Sequence, residues 1–138
     1  METVTHEDKI VALVVRSGDS FPGVTFVTPP EFSQQLGFLK HTAGHVIQPH
    51  THNKVVREVV STQEVLFIKK GTVKVLLYTQ TRALLRELIV RAGDVILLAS
   101  GGHGFEILED SEMIEVKQGP YLSDVLDKTK FTLSRPEK

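Results

Sequence analysis

Short apolar runs, separated by turn-forming residues, recur along the chain and limit what it can fold into. They are rich in Val, Ile and Leu and recur about every eight to twelve residues, which is typical of short strands in a sandwich or barrel. Some alternate with polar residues, as in Thr72-Val73-Lys74-Val75, the period of a half-buried strand. The runs predicted as strands are residues 10–15, 24–27, 36–39, 55–60, 65–68, 73–78, 84–90, 95–98, 105–108 and 113–116.

A helix is predicted only near the carboxy terminus, as one turn within residues 121–128. Leu122, Val125 and Leu126 have the i, i+3, i+4 spacing of a helical face there. With 138 residues the chain has the length of one domain. We expect an amino-terminal, loop-rich arm with the first strands over residues 1–36, a β-barrel core over 37–120, and a turn and frayed polar tail over 121–138.

The composition excludes several classes of protein. The chain is 41% hydrophobic and 24% charged, as in globular proteins, and its net charge of −1 disfavours binding to nucleic acid. It has no cysteine, which excludes disulfides, thiolate nucleophiles and Cys-ligated metals. An acidic amino terminus and the lack of a long apolar run predict no signal peptide and no membrane partner. We therefore expect a cytoplasmic protein.

The tripeptide His50-Thr51-His52 carries the strongest indication of chemistry. In a strand, alternate side chains share one face, so both imidazoles would address one point, as metal ligands do. The alternative is two surface histidines that flank a turn after Pro49. The tripeptide alone leaves both interpretations open.

Further residues extend the tripeptide into a pattern that resembles the two motifs of the cupin family. The first motif is carried by Gly44, His50, His52, Glu64 and Gly71. The second is carried by Gly93-Asp94, the hydrophobic run 95–98, Gly101-Gly102 and His103. The glycines fit this interpretation, because Gly71 and Gly93 stand where tight turns favour a positive φ.

The resemblance implies an all-β fold, a cupin double-stranded β-helix or jelly-roll barrel, with the short helical turn at its end. It also implies one divalent transition metal ion, Mn, Fe, Ni, Co or Zn. The ligands carried over by position are His50, His52, Glu64 and His103, with Glu58 as an alternative to Glu64. Three imidazoles and a carboxylate suit such an ion and leave a coordination position open.

Other residues are candidates for a substrate pocket. Gln48 and Phe105 share strand parity with His50 and His103. The insertion 53–63 carries Lys54 and Arg57, which could hold a carboxylate or phosphate or form a solvated hairpin. Alternation places Glu115 on one face with Lys117. No catalytic residue beyond the ligands is identified.

The favoured function is metal-dependent isomerisation or epimerisation of a small polar molecule, such as a sugar or nucleotide sugar, in part because stand-alone cupins of this length include such enzymes. One alternative is an Fe(II)-dependent dioxygenase. Another is a non-catalytic module that binds or senses a small ligand. The resemblance also favours a homodimer, because small cupins commonly pair through their outer sheets.

Overall fold

The strands dominate the computed structural model, which describes residues 1–121 and 123–132. Strand accounts for 43% of the described residues and helix for one four-residue turn, which confirms the all-β prediction. The strands are β1 Glu2–His6, β2 Lys9–Val15, β3 Val24–Phe26, β4 Gly37–Leu39, β5 Glu64–Lys70, β6 Thr72–Tyr78, β7 Leu84–Arg91, β8 Val95–Leu98, β9 Gly102–Ile107 and β10 Glu112–Lys117. One helical turn, α1 Asp124–Asp127, follows them.

These strands form three antiparallel sheets, and none of them closes into a barrel within the described residues. A five-stranded sheet has the order β1-β2-β8-β5-β10, a three-stranded sheet has the order β7-β6-β9, and β3 pairs with β4. β9 and β10 are each an edge strand. Phe105 and Ile107 on the inner face of β9 are exposed, so the space between the two larger sheets is open along this edge.

The core fills the space between the five-stranded and the three-stranded sheets. Alternate residues of β6, Val73 and Val75, are fully buried there against Ile68 of β5 and Ile96 of β8. The opposite face of the five-stranded sheet buries Leu97 and its neighbours beneath the segment that connects β3 to β4. Because β2 and β8 are covered on both faces, their sequences are continuous apolar runs rather than alternating ones.

The run at residues 55–60 is not a strand, contrary to the prediction. All of residues 41–63 lie outside helices and strands. The apolar side chains of this irregular segment cover no sheet, and Val56 is 100% exposed. Within the described residues no strand pairs with this run, so its apolar side chains have no sheet surface to cover.

The amino-terminal arm also contains a strand that was not predicted, because β1 and β2 form a hairpin. Glu7 and Asp8 make its turn with positive φ angles of 47° and 60°. This left-handed conformation favours Gly or Asn, so the turn residues give little sign of a hairpin. At the other end of the chain, α1 confirms one helical turn within 121–128, whereas Leu122 and the tail predicted over 134–138 lie outside the described residues.

The turn between β7 and β8 is fixed by the buried carboxylate of Asp94. Its Oδ1 accepts from the backbone N–H of Ser17 at 2.9 Å, and its Oδ2 accepts from the N–H of Arg91 at 3.0 Å. The guanidinium of Arg16 adds a charged hydrogen bond to Oδ2, also at 3.0 Å. Gly93 supplies the positive φ of 89° that this turn needs. The Gly93-Asp94 pair therefore joins β8 to the end of β2.

No helix in residues 1–121 or 123–132 is long and apolar enough to cross a membrane. The cytoplasmic location stays a prediction.

Replacement of Asp94 by Ala should lower the free energy of unfolding by about 2 to 3 kcal/mol, because it leaves two backbone N–H groups without their acceptor and removes one of the acceptors of the Arg16 guanidinium. Urea unfolding followed by circular dichroism measures this difference. Asp110→Ala, in an exposed turn before β10, is the matched control and should change stability by less than about 0.5 kcal/mol. Equal losses in the two variants would contradict the role given to Asp94.

Candidate functional site

Glu64 and His103 form a polar pair that bridges the two larger sheets. Glu64 is the first residue of β5 in the five-stranded sheet, and His103 is the second residue of β9 in the three-stranded sheet. Nε2 of His103 lies 3.0 Å from Oε2 of Glu64. Two residues predicted as ligands of one metal are thus in direct contact, although they belong to different sheets.

Strand register explains why the two side chains meet. His103 lies opposite Leu77, which is fully buried on the inner face of β6. Glu64 lies opposite Leu98 and alternates with Leu66, which are both buried in the core. Both polar side chains therefore point into the space between the sheets, at the end where the apolar core stops.

The pair is partly shielded from solvent, with 17% of the Glu64 side chain and 30% of the His103 side chain exposed. A carboxylate can only accept, so Nε2 of His103 carries the hydrogen and donates it. This hydrogen bond lowers the pKa of Glu64 below its usual value and outweighs the effect of burial, which raises it. Glu64 is therefore held as the carboxylate, the form that binds metal ions.

Lys117 is a third polar residue of this site, and alternation in the sequence placed it on one face with Glu115. It lies opposite Glu64 in the register of β5 and β10. Its Nζ is 4.0 Å from Oε1 of Glu64 and 3.3 Å from Oε1 of Glu115. The ion pair with Glu115 raises the pKa of Lys117. Lys117 is closer to this site than Glu115 because Lys117 lies opposite Glu64 in the pairing of β10 with β5, and Glu115 lies opposite Leu66.

A cleft of about 1280 Å³ opens at Glu64, His103 and Lys117. It continues onto the outer face of the three-stranded sheet, where Leu76 and Gly104 line it. Other parts of its lining come from residues 60–62 of the irregular segment and from residues 126–132, here called the carboxy-terminal strap. This volume is large enough for a small molecule.

The loop that leads into β9 depends on Gly101. It has a φ of 72°, and a Cβ on it would overlap the backbone oxygen of Tyr78. No other residue type fits this close approach of the loop to β6 without strain. The glycine of the second motif thus sets the position of His103, which follows it by two residues.

His50 and His52 lie apart from the polar pair, on the irregular segment. Both are exposed, their rings are 5.2 Å apart at an interplanar angle of 77°, and Nδ1 of His50 lies 3.0 Å from the backbone oxygen of Gln48. No group of three or more His, Asp or Glu side chains that could hold a metal forms within the described ranges. The structure assembles two of the four predicted ligands, Glu64 and His103, and the four-ligand site stays a prediction.

The remaining candidates are distributed between the segment and the sheets. Four are exposed on the irregular segment and do not line the cleft: Gln48, Lys54, Arg57 and Glu58. Phe105 lies on β9 beside His103, with the two ring centroids 5.6 Å apart. Because Glu64 contacts His103 and Glu58 does not line the cleft, the structure favours Glu64 over Glu58 as the carboxylate of the site.

Comparisons with models of protein families, with curated proteins and with solved structures found no match to this chain.

The Glu64–His103 contact predicts a specific sensitivity to acid. Because the folded protein lowers the pKa of Glu64 from its ordinary value of 4.5, the stabilisation is present above pH 4.5 and is lost as the pH falls through the lowered pKa. The stability advantage of the wild type over Glu64→Gln should therefore shrink below pH 4.5. Urea unfolding of metal-free protein across a pH series measures this difference in the free energy of unfolding.

Glu112→Gln is the control, because Glu112 forms an exposed ion pair with Lys69, a type of contact that contributes little to stability. It should retain the acid sensitivity of the wild type. A constant difference between the wild type and Glu64→Gln at all pH values would contradict the hydrogen bond.

Proposed function

We propose that the protein binds one divalent first-row metal ion and, with it, isomerises or epimerises a small polar, sugar-like molecule in the cleft. The observation that carries the proposal is the contact between Glu64 and His103. The resemblance to the cupin motifs implies these two residues as ligands of one metal, and they lie 3.0 Å apart at the mouth of a cleft. Their contact across two sheets supports the proposal.

The chemistry of the pair fits such an ion. One carboxylate and one imidazole are donors that Mn, Fe, Co, Ni and Zn accept. Glu64 is already ionised, and a metal bound at Nε2 of His103 would take the place of the hydrogen there, which a neutral imidazole would then carry on Nδ1. Two donors are too few for tight binding, and His50 and His52 are the residues proposed to complete the set.

The free edge of β9 supports this role for the irregular segment. The inner-face side chains of Phe105 and Ile107 on this edge strand are 37% and 55% exposed. Val46 on the segment is 69% exposed. Antiparallel pairing of residues 46–52 with β9 would put Val46 opposite Ile107 and His50 opposite His103, on one face. This pairing would cover the apolar side chains of Phe105 and Ile107, and it would also bring the imidazoles of His50 and His52 to the face of His103.

This pairing would also extend the three-stranded sheet, and we propose the jelly-roll barrel of the cupins as the completed fold. Two antiparallel sheets that share one core, with consecutive strands β8, β9 and β10 alternating between them, support that architecture. The added strand would lie along the open side of the core.

In the reaction, the metal would supply a Lewis acid that polarises a carbonyl or hydroxyl oxygen. Lys117 would orient a substrate oxygen beside Glu64, because its ammonium group lies in the cleft lining at 4.0 Å from that carboxylate. The buried core behind His103 would keep the reacting end of the substrate away from bulk water.

A homodimer is part of the proposal. Phe67 of β5 lies opposite Ile114 of β10, and both are exposed on the outer face of the five-stranded sheet, as is Val116. A contiguous apolar face of this kind is typical of a surface that another protein covers.

Wild-type protein purified without chelators should contain about one first-row metal ion per chain by elemental analysis, and His50→Ala/His52→Ala and His103→Ala should contain about tenfold less. His41→Ala/His45→Ala is the matched control, because it removes two histidines from the same irregular segment without touching the proposed ligands. This control should retain the metal.

An empty wild type that cannot be loaded with Mn, Fe, Co, Ni or Zn would overturn the metal proposal. If the metal binds, hydrogen exchange tests the pairing with β9: the amides of residues 46–52 should become protected on loading. Metal binding without this protection would show that the segment does not join the edge of β9.

The metal-loaded protein should interconvert members of a panel of aldoses, ketoses and nucleotide sugars, and either chelation or His103→Ala should lower kcat at least about a hundredfold because the polarising ion is lost. Nuclear magnetic resonance of the product mixture measures the turnover. Oxygen uptake by the iron-loaded protein with catechols, thiols or oxo-acids, in place of isomerisation, would assign dioxygenase chemistry instead.

A non-catalytic binding module is the second candidate, favoured because the residues in 1–121 and 123–132 contain no group of three metal donors. In that case the cleft would hold a small molecule without changing it. Native mass spectrometry that recovers an unaltered ligand from metal-free protein would favour this function.

A further inference from the structure

Phe131 anchors the carboxy-terminal strap to the three-stranded sheet through two side chains. Its ring meets the ring of Tyr78 edge to face, with centroids 5.3 Å apart and planes at 82°. The guanidinium of Arg82 also lies over the Phe131 ring, with Cζ of Arg82 5.3 Å from the ring centroid. These are an aromatic pair and a cation–π contact, each with a preferred geometry.

The site that receives Phe131 exists because residue 102 is glycine. A Cβ on Gly102 would lie 3.1 Å from Cζ of Phe131, which is closer than an ordinary carbon contact. Any larger side chain there would push the ring outward. Gly102 directly precedes His103 in β9, so the anchor of the strap lies on the outer face of this strand and His103 points to the inner face.

The strap itself is part of the cleft. Residues 128–132 lie outside helices and strands, and every residue from 126 to 132 lines the cleft that contains Glu64 and His103. Leu126, in α1, is 74% exposed, whereas Phe131 is half-buried. Among the strap residues, Phe131 therefore makes the aromatic contacts that connect this wall to the sheet.

We propose that the carboxy-terminal strap is a removable wall of the cleft, anchored by Phe131 on Tyr78, Arg82 and Gly102, and that its release admits small molecules to the Glu64–His103 pair. The inference rests on the proposed function only for the identity of those molecules. The contacts of Phe131 and the electrostatic attraction of Lys128 to Glu64 are weak beside the buried core of the sheets, so the strap can open while the sheets stay folded.

Limited trypsin digestion tests the anchor, because cleavage after Lys128 or Lys130 requires the strap to leave the sheet. Phe131→Ala should speed cleavage at these two sites about tenfold, since it removes both contacts. Leu126→Ala, an exposed position on the same strap, is the matched control and should be cleaved at the wild-type rate. Equal rates in the two variants would overturn the anchor.

Chemical modification of His103 tests whether the strap controls access. In metal-free protein, diethyl pyrocarbonate should carbethoxylate His103 about tenfold faster in Phe131→Ala than in wild type, as read by peptide mass spectrometry. The exposed His41 is an internal reference and should react at one rate in all variants. Faster cleavage of the strap with an unchanged rate at His103 would overturn its role as a wall.

Gly102→Ala is a second variant that leaves the strap sequence intact. Its added methyl group should displace Phe131 and so raise the rate of trypsin cleavage of the strap and the rate of carbethoxylation of His103, as Phe131→Ala does. Wild-type values of both rates would contradict the anchoring site. Circular dichroism confirms that each variant retains its sheets. Neither measurement uses a bound metal or turnover, so failure of the proposed function and failure of this inference remain distinguishable.

Discussion

Three hydrogen bonds to the buried carboxylate of Asp94 hold β8 in place, and the candidate site depends on that position. β8 is the central strand of the five-stranded sheet, with β2 on one side and β5 on the other. The hydrogen bonds from Ser17 and Arg16 to Asp94 join the start of β8 to the end of β2. The register of β8 with β5 then sets Leu98 opposite Glu64, at the limit of the apolar core. A polar turn at one end of a strand thus positions the carboxylate at the other end.

The parts of the fold that could be predicted are those where side-chain pattern and pairing agree. In β6, Val73, Val75 and Leu77 alternate with polar or half-buried residues, and all three are fully buried. The run 55–60 has similar residue types but no neighbouring strand, so the same apolar content produces exposed coil. Local composition predicts a strand only where the chain also supplies a surface for it to cover.

Within the site, the motif resemblance selected residues that the structure brings together, whereas alternation did not rank their neighbours. The resemblance implied Glu64 and His103 as ligands of one metal, and they are in contact. Lys117 was not ranked above Glu115, because both share one face and only their register with β5 separates them. That register contains an irregularity between Glu112 and Met113, and such a bulge cannot be located from the sequence of one strand.

The cleft combines a rigid base with walls of a different kind. Glu64 and His103 are on paired strands whose inner neighbours are buried, which holds their donor atoms within hydrogen-bonding distance. Two of the walls, residues 60–62 and the strap, lie outside the sheets, and the aromatic ring of Phe131 packs the strap against Gly102. Segments with few buried apolar contacts open at a lower free energy than paired strands. A site built this way keeps its donor geometry while its walls move, which is what binding and release of a small molecule require.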